Sequence, residues 1–279
     1  MEFFTILLSG LLGLVAPAGL VVDRTAENAI RSRLQQAERL EVRVDNAPSH
    51  QLLQGKVERV RLAGRGLRLK QQNVRIAAFE LETDSIDLDP RSLGKQKLKL
   101  RRSLQAGVHL SLEQQDLNQV LPTLIARIQE FVIPELGGDR ESKSNSSSNS
   151  NSNSNYRFIN PRLELLANNR LRFQVELAAE GDDQPLAIVA ESGLVVTKGR
   201  QIQLVQPRVA IDREAVAQDI VDEIATNLSQ ELDLRRLEAY GLQVRILQLK
   251  VEPQKLDFAT FVRVDPSSPL LQNSKVAEF

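Results

Sequence analysis

The chain has 279 residues, of which 42% are hydrophobic and 26% charged, with 36 basic and 36 acidic side chains and no formal net charge. That balance argues against a globally basic nucleic-acid binder, and the absence of cysteine rules out disulfides, thiolate catalysis and Cys-ligated metals. Aromatics are only 4%, so the apolar mass is mostly Leu, Val, Ile and Ala, which suits close packing and equally suits contact with acyl chains.

The first 22 residues stand apart. Phe3 to Val22 carries no charge and is long enough to cross a hydrocarbon layer of ~30 Å as a helix. Gly10, Gly13, Pro17 and Gly19 lower its helix propensity, which a membrane tolerates better than water. It reads as a membrane-targeting or anchor segment, with three forms open. Ala16-Pro17-Ala18 fits a cleaved signal peptide, and the alternatives are an uncleaved anchor or a helix docked on the membrane or in the domain. Only Glu2 precedes it, while Arg24, Arg31, Arg33 and Arg39 follow, so the flanking charges alone would keep the body cytoplasmic.

Residues 23–264 read as one domain. Thr25 to Ala37 has helical spacing, with Ala26, Ala29, Ile30, Leu34 and Ala37 on one stripe. Strand patterns follow at Val42 and Val44, then at Val60 and Leu62, with Gly64 and Gly66 marking a turn or bulge. From Val74 to Leu88 the alternation slips parity, which predicts a bulge near Ala77-Ala78. Leu98, Leu100 and the Ala106, Val108, Leu110, Leu112 series are further strand. Ser111 with Gln114 forms a capping-box arrangement opening a helix over about 113–132, interrupted by Pro122 and ended by Gly137-Gly138.

Residues 144–155 are only Ser and Asn, a tract with nothing to bury, so a disordered insert is expected over about 139–156. The second half repeats the grammar. Leu171, Phe173, Val175 and Leu177 alternate with Arg172, Gln174 and Glu176, the clearest half-buried strand in the chain. Strands then pass through Leu186, Leu194 and Ile202. Asp212 is a good N-cap for a helix to about 231, with Val216, Ile220, Ile224 and Leu228 four apart. A hairpin to Val264 and a loose tail, 265–279, complete the chain.

Consecutive strands without intervening helices favour antiparallel pairing. The expected fold is α+β, a long curved antiparallel sheet wrapped around amphipathic helices. If the helices leave part of the apolar sheet face uncovered, the remainder is a groove.

Several strings carry a resemblance: VDRTAENAIRSRL within Val22–Leu40, Asn46-Ala47-Pro48, Leu53-Gln54-Gly55-Lys56-Val57, Ala63-Gly64-Arg65-Gly66-Leu67, Ile76 to Thr83, and Asp116-Leu117-Asn118. Together they resemble the LmeA-like phospholipid-binding family of bacterial envelope proteins, in a form typical of cyanobacteria, over most of 22–264. The family is similar to tubular lipid-binding proteins, in which a rolled sheet and a helix enclose an acyl channel. The resemblance implies phospholipid binding, a membrane-associated periplasmic or lumenal location, and no catalytic residues. The first residues depart from it, because a typical export signal has a basic start.

The residues themselves show no catalytic constellation. There is no Gly-x-Ser-x-Gly and no phosphate-cradling Gly-rich loop. Asp84, Asp87 and Asp89 read as a solvated strand face, not a calcium loop. His50 and His109 cannot form a metal triad alone, and no cofactor or metal is expected. The groove candidates are Val108, Leu110, Leu121, Leu124, Ile128, Leu171, Phe173, Val175, Leu177, Ile220 and Ile224. Arg65, Arg68, Lys70, Lys97 and Lys99 are candidates for lipid headgroups or a membrane surface. The expected function is non-enzymatic binding or transfer of phospholipid or another acyl lipid at a membrane. A scaffolding envelope protein with a fully packed core is the alternative.

Overall fold

The computed structural model describes residues 27–28, 30–32, 34–45, 51, 54–69, 74–92, 99–136, 156–179 and 184–271. The apolar segment Phe3–Val22 and the Ser/Asn tract 144–155 lie outside them, and no described helix is long and apolar enough to cross a membrane. In chain order the strands are β1 (Leu34–Gln36), β2 (Arg39–Asp45), β3 (Lys56–Val57), β4 (Arg59–Leu69), β5 (Arg75–Thr83), β6 (Ile86–Asp87) and β7 (Leu104–Glu113). Helix α1 (Gln114–Leu136) follows, then β8 (Tyr156–Leu166), β9 (Arg170–Ala179), β10 (Leu186–Thr197), β11 (Gln201–Ile211) and β12 (Glu214–Ala215). Helix α2 (Gln218–Glu231), β13 (Leu242–Glu252) and β14 (Lys255–Val264) complete it.

Every described ladder is antiparallel, but the strands form two main open sheets where one long sheet was expected. The first has seven strands in the order β1-β4-β5-β7-β14-β13, with β2 also paired to β4. The second has five, β12-β11-β10-β9-β8, and β3 pairs with β6. Thus the N-terminal strands and the C-terminal hairpin make one sheet, and the middle of the chain makes the other.

The first sheet owns the packed core. Alternation places Leu40 and Val42, Val60 and Leu62, Phe79 and Leu81, and Leu104, Ala106 and Val108 in one buried cluster. Val262, Val264, Leu242 and Val244 extend it. Burial of each such side chain contributes about 1.5–3 kcal/mol. The parity slip in β5 has its cause on the neighbouring strand. Gly66 has φ +55°, and the β4–β5 ladder omits the Gly66–Ala77 pair while keeping its register from Arg61↔Glu82 to Arg68↔Arg75. The strand is kinked there without an inserted residue. A Cβ on Gly66 would lie 2.2 Å from the Glu38 carboxyl carbon, so glycine is needed for space as well as conformation.

The two sheets meet at β13. The Val251 N–H donates to the Asn169 side-chain oxygen at 2.7 Å, and the Ile246 N–H donates to the Gly199 carbonyl at 2.6 Å. Turns of the second sheet thereby fill backbone groups on an edge strand of the first, which protects that edge from foreign pairing.

Other expectations shift locally. Residues 27, 28, 30 and 31 are helical, but Leu34–Gln36 pair with β4 as strand. Ser111 lies buried in β7 and the helix begins at Gln114. Asp212 caps no helix. It sits in a turn with φ +49° and accepts the Ala187 N–H at 2.8 Å, while α2 begins after Ala217. The chain beyond Pro266 is packed as far as Leu271: Ser268 and Leu271 are buried, and the Ser268 hydroxyl donates to the Tyr240 carbonyl at 2.6 Å.

Candidate functional site

The second sheet has two chemically distinct faces. On one, cross-strand rows run Leu163–Phe173–Ala190–Val209, Val175–Ile188–Ile211 and Phe158–Leu177–Leu186. On the other, Glu164, Arg172, Glu191 and Arg208 form a row of alternating charge across four strands. Arg172 lies 3.0 Å from Glu164 and 3.2 Å from Glu191, and Arg170 lies 2.9 Å from Glu191. The bond to Glu191 raises the Arg172 pKa, and Arg170, ahead of Arg172, holds the Glu191 carboxyl below its ordinary value. One face is therefore charged and the other apolar.

The apolar face is incompletely covered. Leu165 and Val175 are buried, Leu171, Phe173, Leu177 and Ile188 are only half-buried, and Leu186 and Ile211 are exposed. Among the described residues, the packed cluster of the first sheet takes none from between Leu112 and Leu234. An aliphatic sheet face left half in water has no structural reason of its own, since closing it would contribute ~25 cal/mol per Å2.

A helix flanks β8 at one edge of this sheet, and another flanks β11 where the short β12 does not reach. On β8, the Asn118 side chain accepts the Leu163 N–H at 2.7 Å and donates to the Leu163 carbonyl at 2.8 Å. One turn earlier, Gln114 Oε1 accepts the Leu165 N–H at 2.7 Å. Asp116, between them and buried, meets Arg75 of β5 at 2.9 Å, tying α1 to the first sheet. On β11, the Leu204 N–H donates to the Ser229 hydroxyl at 3.1 Å, which in turn donates to the Ala225 carbonyl at 2.6 Å. Val221, Ala225 and Ser229 are the buried line of α2. The adjacent line, Ile220, Ile224 and Leu228, is 48–51% exposed.

The structure divides the sequence candidates. Leu171, Phe173, Val175 and Leu177 share the apolar face, with Leu121 half-buried and Leu124 exposed on α1, and Ile220 and Ile224 on α2. Val108 and Leu110 stand elsewhere, in and against the first-sheet core. The side chain of Ile128 lies outside the described residues. Arg65 is exposed on β4, Arg68 is opposite Arg75, and Lys99 is exposed before β7. Arg65 and Arg68 belong to the first sheet and Lys99 to the segment that leads into β7, and Lys70 and Lys97 lie outside the described residues. Sequence reasoning missed Leu163, Ile188 and Leu228 as neighbours of the candidates. It also missed Gln114 and Asn118 as edge-binding groups, since a polar residue early in a helix looks like a cap.

A concavity of about 540 Å3 lies on the first sheet over Ala63, Gly107 and Ala259. Glu41, Arg43, Arg61, Glu80, Glu82 and His109 line it together with Leu62, Leu81, Val108 and Leu247, so it mixes charged and apolar side chains.

A family model for LmeA-like phospholipid-binding proteins matches residues 15–261. No curated protein and no solved structure matches the chain. The family match spans both sheets, both helices and the uncovered apolar face, and the protein belongs to the LmeA-like phospholipid-binding family.

Proposed function

We propose that this protein holds phospholipid by its acyl chains on the apolar face of the second sheet, between α1 and α2, and hands it between membrane surfaces. The observation that carries the reading is the contrast between the sheets: the first is packed, the second leaves a continuous aliphatic face half in water. Family membership supplies the ligand class. An acyl chain is the matching occupant, because each methylene it removes from water contributes ~0.8 kcal/mol and requires no polar partner. Ile220, Ile224 and Leu228 on α2 and Leu124 on α1 are exposed as well and supply further aliphatic surface on the two flanking helices. A scaffold with a fully packed core fits this half-open sheet poorly.

In the same reading the segment 1–22 holds the protein at an envelope membrane, with the body on the periplasmic or lumenal side. Arg65, Arg68, Lys70, Lys97 and Lys99 meet anionic headgroups at the bilayer surface rather than at the acyl face, each exposed cation contributing ~1 kcal/mol.

The test uses full-length chain and a fluorescent phosphatidylglycerol in donor vesicles. Wild type should accept the probe. Phe173→Asp should keep its thermal transition and lose uptake, because a half-exposed position tolerates a charge better than a packed one. Val108→Asp should fail to fold. Undiminished uptake by folded Phe173→Asp would count against the reading.

A further inference from the structure

We infer that the concavity on the first sheet is a binding site for a zwitterionic phosphodiester, a small molecule carrying one phosphate and one ammonium, taken free or as the headgroup of a lipid. The inference rests on the first sheet alone and does not depend on acyl chains lying on the second.

Its starting point is a glycine for which the fold has no use. Gly107 lies in the middle of β7, opposite Glu82 on one side and Phe261 on the other, in ladders that keep their register through it. Its φ is not positive, and a Cβ there would meet nothing within 4 Å. Ala106 and Val108 on either side are buried, whereas Gly107 is exposed and floors the concavity. Neither a turn, a bulge nor close packing accounts for it, and glycine weakens the interior of a strand. A glycine so placed marks a point where something outside the fold comes close to the backbone. Ala63 on β4 and Ala259 on β14, also weak strand formers, continue the small-residue floor. The volume of about 540 Å3 is that of an ordinary small-molecule site.

The rim gives the charges of the guest. Arg43 and Arg61 both bond Asp45, Arg43 through its Nε at 2.8 Å. Among the described residues the two terminal nitrogens of Arg43 have no partner, and its side chain is 70% exposed. Such a fork holds a phosphate through parallel charge-assisted bonds. Two strands away, Glu80 makes no hydrogen bond to a described residue. The nearest cation to it is His109, with Nδ1 3.8 Å away, and the Nε2 of that ring lies 3.5 Å from Asp257. Glu80 therefore keeps its acceptor capacity for an ammonium. The strands β2 and β5 stand roughly 10 Å apart, a gap that two long side chains and a small zwitterion span. A purely anionic guest would face Glu41, Glu80 and Glu82, and a purely cationic one Arg43 and Arg61. A guest bearing both signs is complemented on both sides. Leu247, 70% exposed where the β13–β14 ladder shifts register, offers aliphatic contact to its carbon linker.

Isothermal titration of the full-length chain in non-ionic detergent tests this with sn-glycero-3-phosphoethanolamine as the probe. It should bind, and sn-glycero-3-phosphoglycerol, the same kind of diester without the ammonium, should bind about tenfold more weakly or worse. Glu80→Gln should weaken the ethanolamine diester by about tenfold and narrow the difference between the two. Gly107→Val suits a strand and fills only open space, so it should keep or raise the thermal midpoint while abolishing the binding heat. Phosphatidylethanolamine in the same micelles identifies the source: competition with the diester makes it a lipid headgroup, lack of competition a free ligand, and either result supports the site. No heat from wild type, equal affinity for the two diesters, or undiminished binding by Gly107→Val overturns the inference. A lowered thermal midpoint in Gly107→Val gives the glycine a structural role and overturns it as well.

Discussion

Asn118 pairs with Leu163 as a neighbouring strand would: its side-chain oxygen accepts the Leu163 N–H at 2.7 Å and its side-chain N–H donates to the Leu163 carbonyl at 2.8 Å. A helix side chain thus occupies the edge of the second sheet where a further strand would otherwise pair. Removing the amide leaves two partly buried backbone groups without partners. Asn118→Ala should destabilise by about 1–3 kcal/mol in urea titration. Asn118→Asp, which keeps the acceptor and loses the donor, should fall between Ala and wild type. Equal stability of all three would show that α1 is held by other contacts.

Arg75 is the second fastening of α1. It reaches Asp116 at 2.9 Å, Glu38 at 3.1 Å and Glu113 at 3.2 Å, and Asp116 is 2% exposed. Arg75→Met leaves the buried Asp116 carboxylate uncompensated and should cost about 3 kcal/mol. Arg75→Met/Asp116→Leu removes both charges and should recover most of that loss. Additive losses in chemical denaturation would contradict a coupled pair.

Gly66 serves the same junction from the other side. Its φ of +55° disfavours any L side chain, and a Cβ would strike Glu38. Gly66→Ala should lose about 1–3 kcal/mol through backbone strain and displace the Glu38 carboxylate from Arg75. A thermal midpoint within a degree of wild type would remove both reasons for the glycine.

Acid should weaken the fold in a defined window. The backbone N–H of Arg235, with Arg235 and Arg200 nearby, holds the Asp233 carboxyl below its ordinary value. Arg170 and Arg172 do the same for Glu191. Groups with depressed folded values bind fewer protons folded than unfolded. Their stabilisation is therefore full above the unfolded values of about 4 and is lost as pH falls through the folded ones. The thermal midpoint should be level from pH 7 to about 5 and then drop, and Asp233→Asn should shrink the drop. A midpoint rising on acidification would have the wrong sign.

Much of the fold was legible because alternation survives where one face is buried. Leu171 to Leu177 was read as strand, and β9 occupies Arg170–Ala179. The failures have physical causes. β8 drew no strand expectation, and its alternation is broken at Asn160-Pro161, where Asn160 takes φ +53° and the ladder shifts register between Ile159 and Arg162. Leu34–Gln36 fit a helical stripe, and pairing with β4 overrode that local preference. Asp212 looked like a helix cap, but its carboxylate bonds Ala187, twenty-five residues earlier in the chain. Such long-range partners leave no local trace. The candidate site was half visible for the same reason. Phe173 and Ile224 could be read as apolar, but only the sheet order separates them from Val108, which is packed.

We propose that the second sheet's apolar face is a seat for acyl chains. Native mass spectrometry of the full-length chain, released from non-ionic detergent after incubation with phospholipid, tests it most directly. The account predicts a mass increment of whole phospholipid molecules that disappears in folded Phe173→Asp. Bare protein in both samples, or the same increment in both, would contradict it.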